Sequence, residues 1–345
     1  MLNSMEWVRG ETIGYGSFST VSLAVPKNKG SGSLMAVKSC EVDDSVLLQN
    51  EEKILSQLGD CRNVIRCLGI QESVENRRKL FNLMLEYAGG GNLAQLVKKN
   101  GGCLQESEIR IYTRSILNGL SYIHSNGFVH CDLKLQNLLL CNDGELKIAD
   151  FGLAKKTGEK QGRIEVRGTP LYMAPESVNE NEYDSPCDIW ALGCAVLEMF
   201  TGKTAWNCVG GNCNNIAALL LKIGLSDELP EIPQELSPEV KDFLSKCLVK
   251  DPVKRWTAEM LLDHPFVKEF SSSSSSSSPR CPFEFEDRVS IPNSSPNFEL
   301  SVSGFDWSAL SSSDSSSAAD RIQQLVSDSD QVCDWSVSDG WITVR

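Results

Sequence analysis

No two of the 13 cysteines stand at the C-x-x-C spacing of a zinc site, and an odd number cannot all pair within one chain. Free thiols in a reducing compartment are the better reading. Long apolar runs are missing too. The longest, Ile189 to Phe200, is too short to span a bilayer and contains Glu198. The opening MLNSMEW carries neither a basic-then-apolar signal peptide nor a Gly at position 2 for a myristoyl chain. Positive charge is scarce: 46 Asp and Glu face 33 Lys and Arg, a formal net charge of -13. Such a balance argues against nucleic acid or an anionic membrane surface as the main partner. These absences predict a soluble protein of the cytoplasm and/or nucleus.

Lysine itself disappears after Lys268. Eight consecutive serines, Ser271 to Ser278, follow Phe270, and from there onward 11 Asp and Glu stand against 4 Arg. Little apolar material and an acidic excess are the profile of a chain that cannot bury enough surface to order itself. The boundary is therefore placed at residue 270. Residues 1–270 form one folded domain and 271–345 a Ser-rich acidic tail, mostly disordered. With 41% hydrophobic residues the chain can build a sizeable core.

What is present concentrates in one stretch, HCDLKLQNLLLCNDGELKIADFG, from His130 to Gly152. It holds a carboxylate at Asp132, a cation at Lys134, an amide at Asn137 and a second carboxylate at Asp150. Leu138 to Leu140 is a short apolar run, Asn142 to Gly144 a turn that favours positive φ, and Glu145 to Ala149 alternates like a strand. A hairpin there brings its open ends together, so Asn137 and Asp150 become neighbours. An amide oxygen beside a carboxylate is a hard oxygen site suited to magnesium. Asp132, five residues before Asn137, lies close enough to a bound metal-nucleotide to act as base for an incoming hydroxyl. The plain alternative is a surface hairpin with ordinary polar ends.

Elsewhere, Trp7 to Val25 reads as two strands around a glycine turn, GYGSFSTV at Gly14 to Val21, followed by MAVK at Met35 to Lys38 on the next strand pattern. Asp43 and Asp44 offer an N-cap to a helix whose apolar face is Leu47, Ile54, Leu55 and Leu58. Glu51 falls on that face and needs a partner there, or else reaches solvent at the helix edge. Leu80 to Tyr87 reads as a buried strand ending at AGGGNL, a glycine-rich hinge, and Glu108 to His124 as an amphipathic helix. Strands first and helices afterwards predict an α+β, bilobal architecture: a small β-rich N-lobe of about residues 1–85, a hinge at 86–91 and a larger helical C-lobe at 92–270.

HCDLKLQN followed by DFG after a hairpin resembles the catalytic loop and metal-binding motif of the eukaryotic protein kinases, with Cys131 where the family has Arg. GYGSFSTV resembles the kinase phosphate loop with Ser19 for its third Gly, MAVK the strand bearing its Lys, and APE at Ala174 to Glu176 the end of its activation segment. The resemblance implies ATP held between the lobes by Ile13, Gly14, Tyr15, Gly16, Ser17, Phe18, Ser19, Thr20, Val21, Ala36 and Lys38. Glu86 and Ala88 would offer backbone groups to the adenine, with Leu85 guarding the pocket behind it and Asn92 near the ribose. It implies Mg2+ on Asn137 and Asp150, Asp132 as base, and a Glu51 to Lys38 pair in preference to Glu52.

Lys134 two residues after Asp132, and Gly-Thr ending at Thr169 seven residues before Glu176, look like serine/threonine rather than tyrosine kinases. Lys134 would offset charge on the transferring phosphoryl group and Thr169 would position the substrate. Glu176 with Arg255, and Asp188 in DIWALG, resemble residues that lock the fold. Cys131 cannot make the bidentate contacts by which Arg holds a phosphorylated loop. Weak dependence on loop phosphorylation is the expected consequence, with Thr157 as the candidate site.

The HCD triplet, EIRIYTRSILNGLSYIHSNG, RGTPLYMAPESV and the W-x-T-V-R ending resemble plant MAP kinase kinase kinases of the short MEKK-like group. That implies a MAP kinase kinase as substrate, in plant stress, hormone or developmental signalling. Ser-Pro at Ser278 and Ser295 fits feedback by a downstream MAP kinase, and Trp335 and Trp341 fit a docking segment; the tail is otherwise a linker. A pseudokinase scaffold is the rival reading, but such proteins usually lack the strand Lys, the catalytic Asp or the metal Asp, and all three are here. A dinucleotide-binding enzyme fits less, since no βαβ pattern follows the glycine loop.

Overall fold

Antiparallel strands dominate the first quarter of the chain in this computed structural model, which describes residues 6–16, 19–27, 33–159, 167–206 and 216–268. Ser17 and Phe18 of the glycine loop, the boundary at 270 and the tail with Ser278, Ser295, Trp335 and Trp341 lie outside the described residues. Five strands, β1 (Trp7–Tyr15), β2 (Thr20–Pro26), β3 (Met35–Glu41), β4 (Cys67–Glu75) and β5 (Arg78–Glu86), form one sheet in the order β1-β2-β3-β5-β4. Alternation decides its faces. In β3, Ala36, Lys38 and Cys40 point to one side and Met35, Val37 and Ser39 to the other, as the period of two requires. Register pairs Lys38 with Val21 on one side and Leu83 on the other, which fixes Lys38 over the middle of the sheet.

Helix α1 (Val46–Leu58) packs across this sheet. Its start differs from the sequence reading. Asp43 and Asp44 lie in a short 3₁₀ turn, Val42–Asp44, and Ser45 occupies the N-cap, its hydroxyl donating to Val42 O at 2.6 Å. The extra turn rotates the helix so that Leu48, with Glu51, Ile54, Leu55 and Leu58, is buried, while Leu47 is only half-buried. Leu48 and Glu51 are three apart and share a face, so the charge still rides on the apolar stripe.

The chain then turns helical. After α2 (Leu93–Lys99) and α3 (Glu106–Ser125) come the two-residue strand β6 (Phe128–Val129) and the hairpin β7 (Leu138–Leu140) and β8 (Leu146–Ile148). β9 (Lys155–Lys156) pairs with β6. Helices α4 (Pro175–Asn179), α5 (Ser185–Thr201), α6 (Ile216–Leu225), α7 (Pro238–Cys247) and α8 (Ala258–Leu262) complete the described part. None of the described helices is long and apolar enough to cross a membrane. α5 is the run Ile189 to Phe200 in three dimensions, buried on nearly all sides and carrying the fully buried Trp190. Burying a large side chain of this kind contributes roughly 1.5–3 kcal/mol, which makes α5 the centre of the C-lobe.

Gly89 to Gly91 are needed for closeness. A Cβ on Gly90 would stand 2.8 Å from Leu140 O, and one on Gly89 2.4 Å from Asn142 Oδ1. Gly90 N donates to Leu140 O, and Leu140 N returns a bond to Gly91 O, both at 2.8 Å.

Candidate active site

The hairpin predicted around Asn142, Asp143 and Gly144 is present, with strands of three residues each and Gly144 at φ 83°. Leu138 pairs with Ile148, and Ala149 N donates to Asn137 O at 2.9 Å, so the ladder continues to the open end and sets Asn137 beside Asp150. Asp150 itself adopts φ 67°, a left-handed conformation unusual outside glycine. Backbone strain of this kind persists only where surroundings enforce it. Here they do: Asp150 Oδ1 accepts from Lys38 Nζ at 2.8 Å, and Phe151 N donates to Glu51 Oε1 at 3.2 Å.

Lys38 Nζ also donates to Glu51 Oε2 at 2.8 Å. One ammonium thus joins the sheet, α1 and the hairpin. Burial alone would lower the Lys38 pKa, but the charges of Asp150 and Glu51 and their hydrogen bonds outweigh it and raise it. Burial likewise opposes ionisation of Asp150, and the Lys38 charge and hydrogen bond, helped by Lys134, bring it down to about 2. Glu51, with no exposed surface, moves up because burial exceeds what Lys38 returns. Glu52 is not part of this triad; it accepts from Ser56 on the helix surface at 2.9 Å.

Around Asp132 a second cluster forms. Asp132 Oδ2 lies 2.9 Å from Lys134 Nζ and accepts from Asn137 Nδ2 at 3.2 Å, and Asn137 Nδ2 also reaches Asp132 O at 2.8 Å. Thr169 Oγ1 donates to Asp132 Oδ1 at 2.7 Å and accepts from Lys134 Nζ at 2.9 Å. The loop is tied from beneath. Asp188, buried at the start of α5, accepts from His130 N and Cys131 N at 2.9 Å each and from His124 Nε2 at 2.9 Å. Its pKa is lowered, the His124 hydrogen bond and charge prevailing over burial. His130 Nε2 donates to Ala149 O at 3.0 Å and Nδ1 accepts from Asp132 N at 3.3 Å, joining the catalytic loop to the hairpin's far strand. Arg255 and Glu176 make the buried bidentate pair expected of them, at 2.6 and 3.0 Å.

A cavity of about 140 Å³ separates the sheet from the hairpin. Ile13, Val21, Ala36, Lys38, Glu51, Leu85, Glu86, Ala88, Asn137 and Asp150 line it, so those of the predicted nucleotide and metal residues meet in one place. Gly14, Tyr15, Gly16, Ser19 and Thr20 lie outside that lining; Gly14 and Tyr15 end β1, Thr20 opens β2, and Gly16 N donates to Ser19 O at 2.7 Å between them. Thr157 is exposed, its N–H on Gly127 O at 2.9 Å. Asn92 also lines the cavity, and its Oδ1 accepts from Gln95 N and caps α2.

Other lining residues, Glu11, Ile65, Gln95 and Leu139, carried no sequence signal. Asn50 was also missed. Its Nδ2 donates to Gly152 O and Ala154 O at 2.9 Å each, clamping α1 to the segment after Asp150. A polar residue of poor helix propensity in mid-helix was the one available hint.

A two-lobed body with a Lys–Glu–Asp triad lining a cavity and a Lys–Asp–Thr cluster bonded to that lining through Asn137 is the arrangement of a phosphoryl-transfer enzyme. The Protein kinase domain family matches residues 7–267, and the chain belongs to that family. It is a serine/threonine kinase of the MAP kinase kinase kinase group. It is 50% identical over 364 aligned residues to Mitogen-activated protein kinase kinase kinase 20 of Arabidopsis thaliana, covering 99% of this chain and the whole of that one. Mitogen-activated protein kinase kinase kinases 18 and 17 of the same plant are each 44% identical, over 76% of this chain and 78% and 70% of theirs.

Proposed function

We propose that this kinase transfers the ATP γ-phosphoryl group, with Mg2+, to a Ser or Thr hydroxyl of a MAP kinase kinase in plant stress, hormone or developmental signalling. The observation that carries the reading is the Asp132, Lys134 and Thr169 cluster, placed beside an assembled Lys38–Glu51–Asp150 triad. In it Asp132 orients and finally takes the proton of the substrate hydroxyl, Lys134 offsets charge at the transition state, and Lys38 places the α and β phosphates. Most of the acceleration comes from positioning and fixed charge.

Asn137 and Asp150 fit Mg2+ by the chemistry of their donors, one amide oxygen and one carboxylate, both bordering the cavity. Among the described residues no cluster of three or more His, Cys, Asp or Glu could hold a metal by itself. Asn137 and Asp150 would hold the ion beside the nucleotide, where it would neutralise charge on the phosphates.

Regulation follows from Cys131 and from the hydroxyls of the activation segment. Between Asp150 and Glu176 there are three, Thr157, Thr169 and Tyr172. Thr169 is bound to Asp132, and Tyr172 is buried with its hydroxyl on Glu198. This supports activity that depends weakly on loop phosphorylation, with Thr157 as the accessible site. The cytoplasm and/or nucleus is the proposed location, and a MAP kinase acting on the tail the proposed second partner. The deciding experiment offers a panel of catalytically inactive MAP kinase kinases and labelled ATP to the enzyme and to Asp132→Asn. Labelling of at least one panel member by the wild type alone is expected. Labelling of none, with a generic Ser/Thr peptide still phosphorylated, would remove the substrate assignment.

A further inference from the structure

Three successive carbonyls follow Asp150 and Phe151, and side chains from two other parts of the chain hold all of them. Asn50 Nδ2 donates to Gly152 O and Ala154 O at 2.9 Å each. Leu153 O, between these two, accepts from Arg167 Nη1 at 2.7 Å, across 14 positions of the sequence. Phe151 N is on Glu51 Oε1 at 3.2 Å. Asn50 and Glu51 both belong to α1, so residues 151–154 form a fixed platform, and Arg167 is bonded to it.

The other end of Arg167 is equally constrained. Its N–H donates to the hydroxyl of the buried Tyr183 at 2.9 Å. Gly168 follows at φ 94°, with Cys131 O 2.4 Å from where its Cβ would stand, so the chain lies directly against the catalytic loop and leaves no room for a side chain. Thr169 comes next, on Asp132 Oδ1 at 2.7 Å. A shift of Arg167 therefore reaches Thr169 through a single residue. Cys131 turns its thiol to Val129 O at 3.6 Å, on the wall of a small cavity whose one cation among the described residues is Arg167.

We infer, on the reading of Asp132, Lys134 and Thr169 as the transfer cluster, that Arg167 is a positioning residue for phosphoryl transfer: it joins the side of the site that holds Asp150 to the side that holds Thr169 and Asp132. A guanidinium keeps its charge and presents its donors in a planar fork, so the bond to Leu153 O is charge-assisted and fixed in direction. Removing it lets the segment carrying Thr169 shift against Leu153, while the bonds of Lys38 to Glu51 and Asp150 remain. The loss falls on the transfer step and not on ATP binding. A misplacement on the order of 1 Å costs up to about a hundredfold in rate.

The test compares full-length wild type, Arg167→Ala, Arg167→Lys and Asp132→Asn on a generic Ser/Thr peptide, recording kcat, the KM for ATP and the thermal midpoint. Expected for Arg167→Ala are a kcat about 10- to 100-fold lower and a KM for ATP within about twofold of wild type. Arg167→Lys, which keeps one charged donor, should exceed Arg167→Ala in kcat by at least about threefold. Methylguanidinium added to Arg167→Ala should raise its kcat and leave the wild type unchanged, a response that a residue serving only the fold would not give. If the melting curve shows that Arg167→Ala does not fold, the same split is read on Arg167→Gln. A kcat within about twofold of wild type, a KM for ATP that rises as kcat falls, or a loss relieved by neither Arg167→Lys nor methylguanidinium would each overturn the role of Arg167. Asp132→Asn working at the wild-type rate would remove the transfer cluster itself, and the inference with it; an inactive Asp132→Asn beside an unimpaired Arg167→Ala would remove the role of Arg167 alone.

Discussion

The hydroxyl of Thr169 donates to Asp132 at 2.7 Å, and so occupies one oxygen of the carboxylate proposed to receive the substrate hydroxyl. Thr169 thereby fixes the rotamer of the base and joins it to Lys134. A hydrogen bond to a charged group contributes about 1.5–3 kcal/mol, so Thr169→Ala should lower kcat by roughly 10- to 100-fold, with Thr169→Ser recovering most of it. Steady-state kinetics on a Ser-containing and a Thr-containing peptide measures this.

Asp132→Asn keeps the shape and removes the proposed base. A fall in kcat of about 10²–10⁴ is expected, with the thermal midpoint moved by no more than about 2 °C. Label transfer at the wild-type rate would rule Asp132 out.

Glu51→Gln removes the charge that α1 presents to Lys38, leaving Lys38 to Asp150 alone. The KM for ATP should rise and kcat fall, by about tenfold or more in kcat/KM, since breaking a buried ion pair costs about 3–5 kcal/mol. Glu52→Gln, on the exposed side of the same helix, should leave both constants within about twofold. Parallel ATP titrations of the two variants distinguish them.

Thr157→Ala, and wild type treated with phosphatase, should keep at least about a third of full activity, because Cys131 lacks the guanidinium that grips a loop phosphate. Near-total loss in either sample would show that the loop is phosphorylation-controlled after all.

Glu198 gives the pH dependence. Burial raises its pKa in the fold against the opposing Tyr172 hydrogen bond. From the unfolded value, about 4.3, up to the raised folded value, the folded chain binds more protons than the unfolded one, so stability falls as pH rises and stays lower above that window. Glu198→Gln should therefore melt higher than wild type at pH 7, with the gap closing toward pH 4. Paired melting curves across that range follow it.

Much of this site could be read from residues in chain order because its geometry is local. Asn142, Asp143 and Gly144 make the turn, alternation makes the strands, and the ladder then places Asn137 beside Asp150 without long-range information. Glu51 was legible as a charge on an apolar stripe, and its partner through the kinase resemblance. What stayed hidden depends on distant contacts. Asn50 bonds carbonyls 102 and 104 residues away. The start of α1 was misplaced for a different reason: acidic residues before a helix also suit a 3₁₀ turn, and Ser45 took the cap.

The glycines at 89 to 91 bear on how the lobes move. Hydrogen-bonded to Leu140 at both Gly90 and Gly91, this tract is fastened to β7, the strand that follows Asn137. Rotation about its backbone would break both bonds, and Glu86 is held in turn by Arg66 and Lys147, which leaves Tyr87 and Ala88 as the place where the lobes would turn. The adenine would rest on the pivot itself, and binding it would set the angle at which the enzyme shuts.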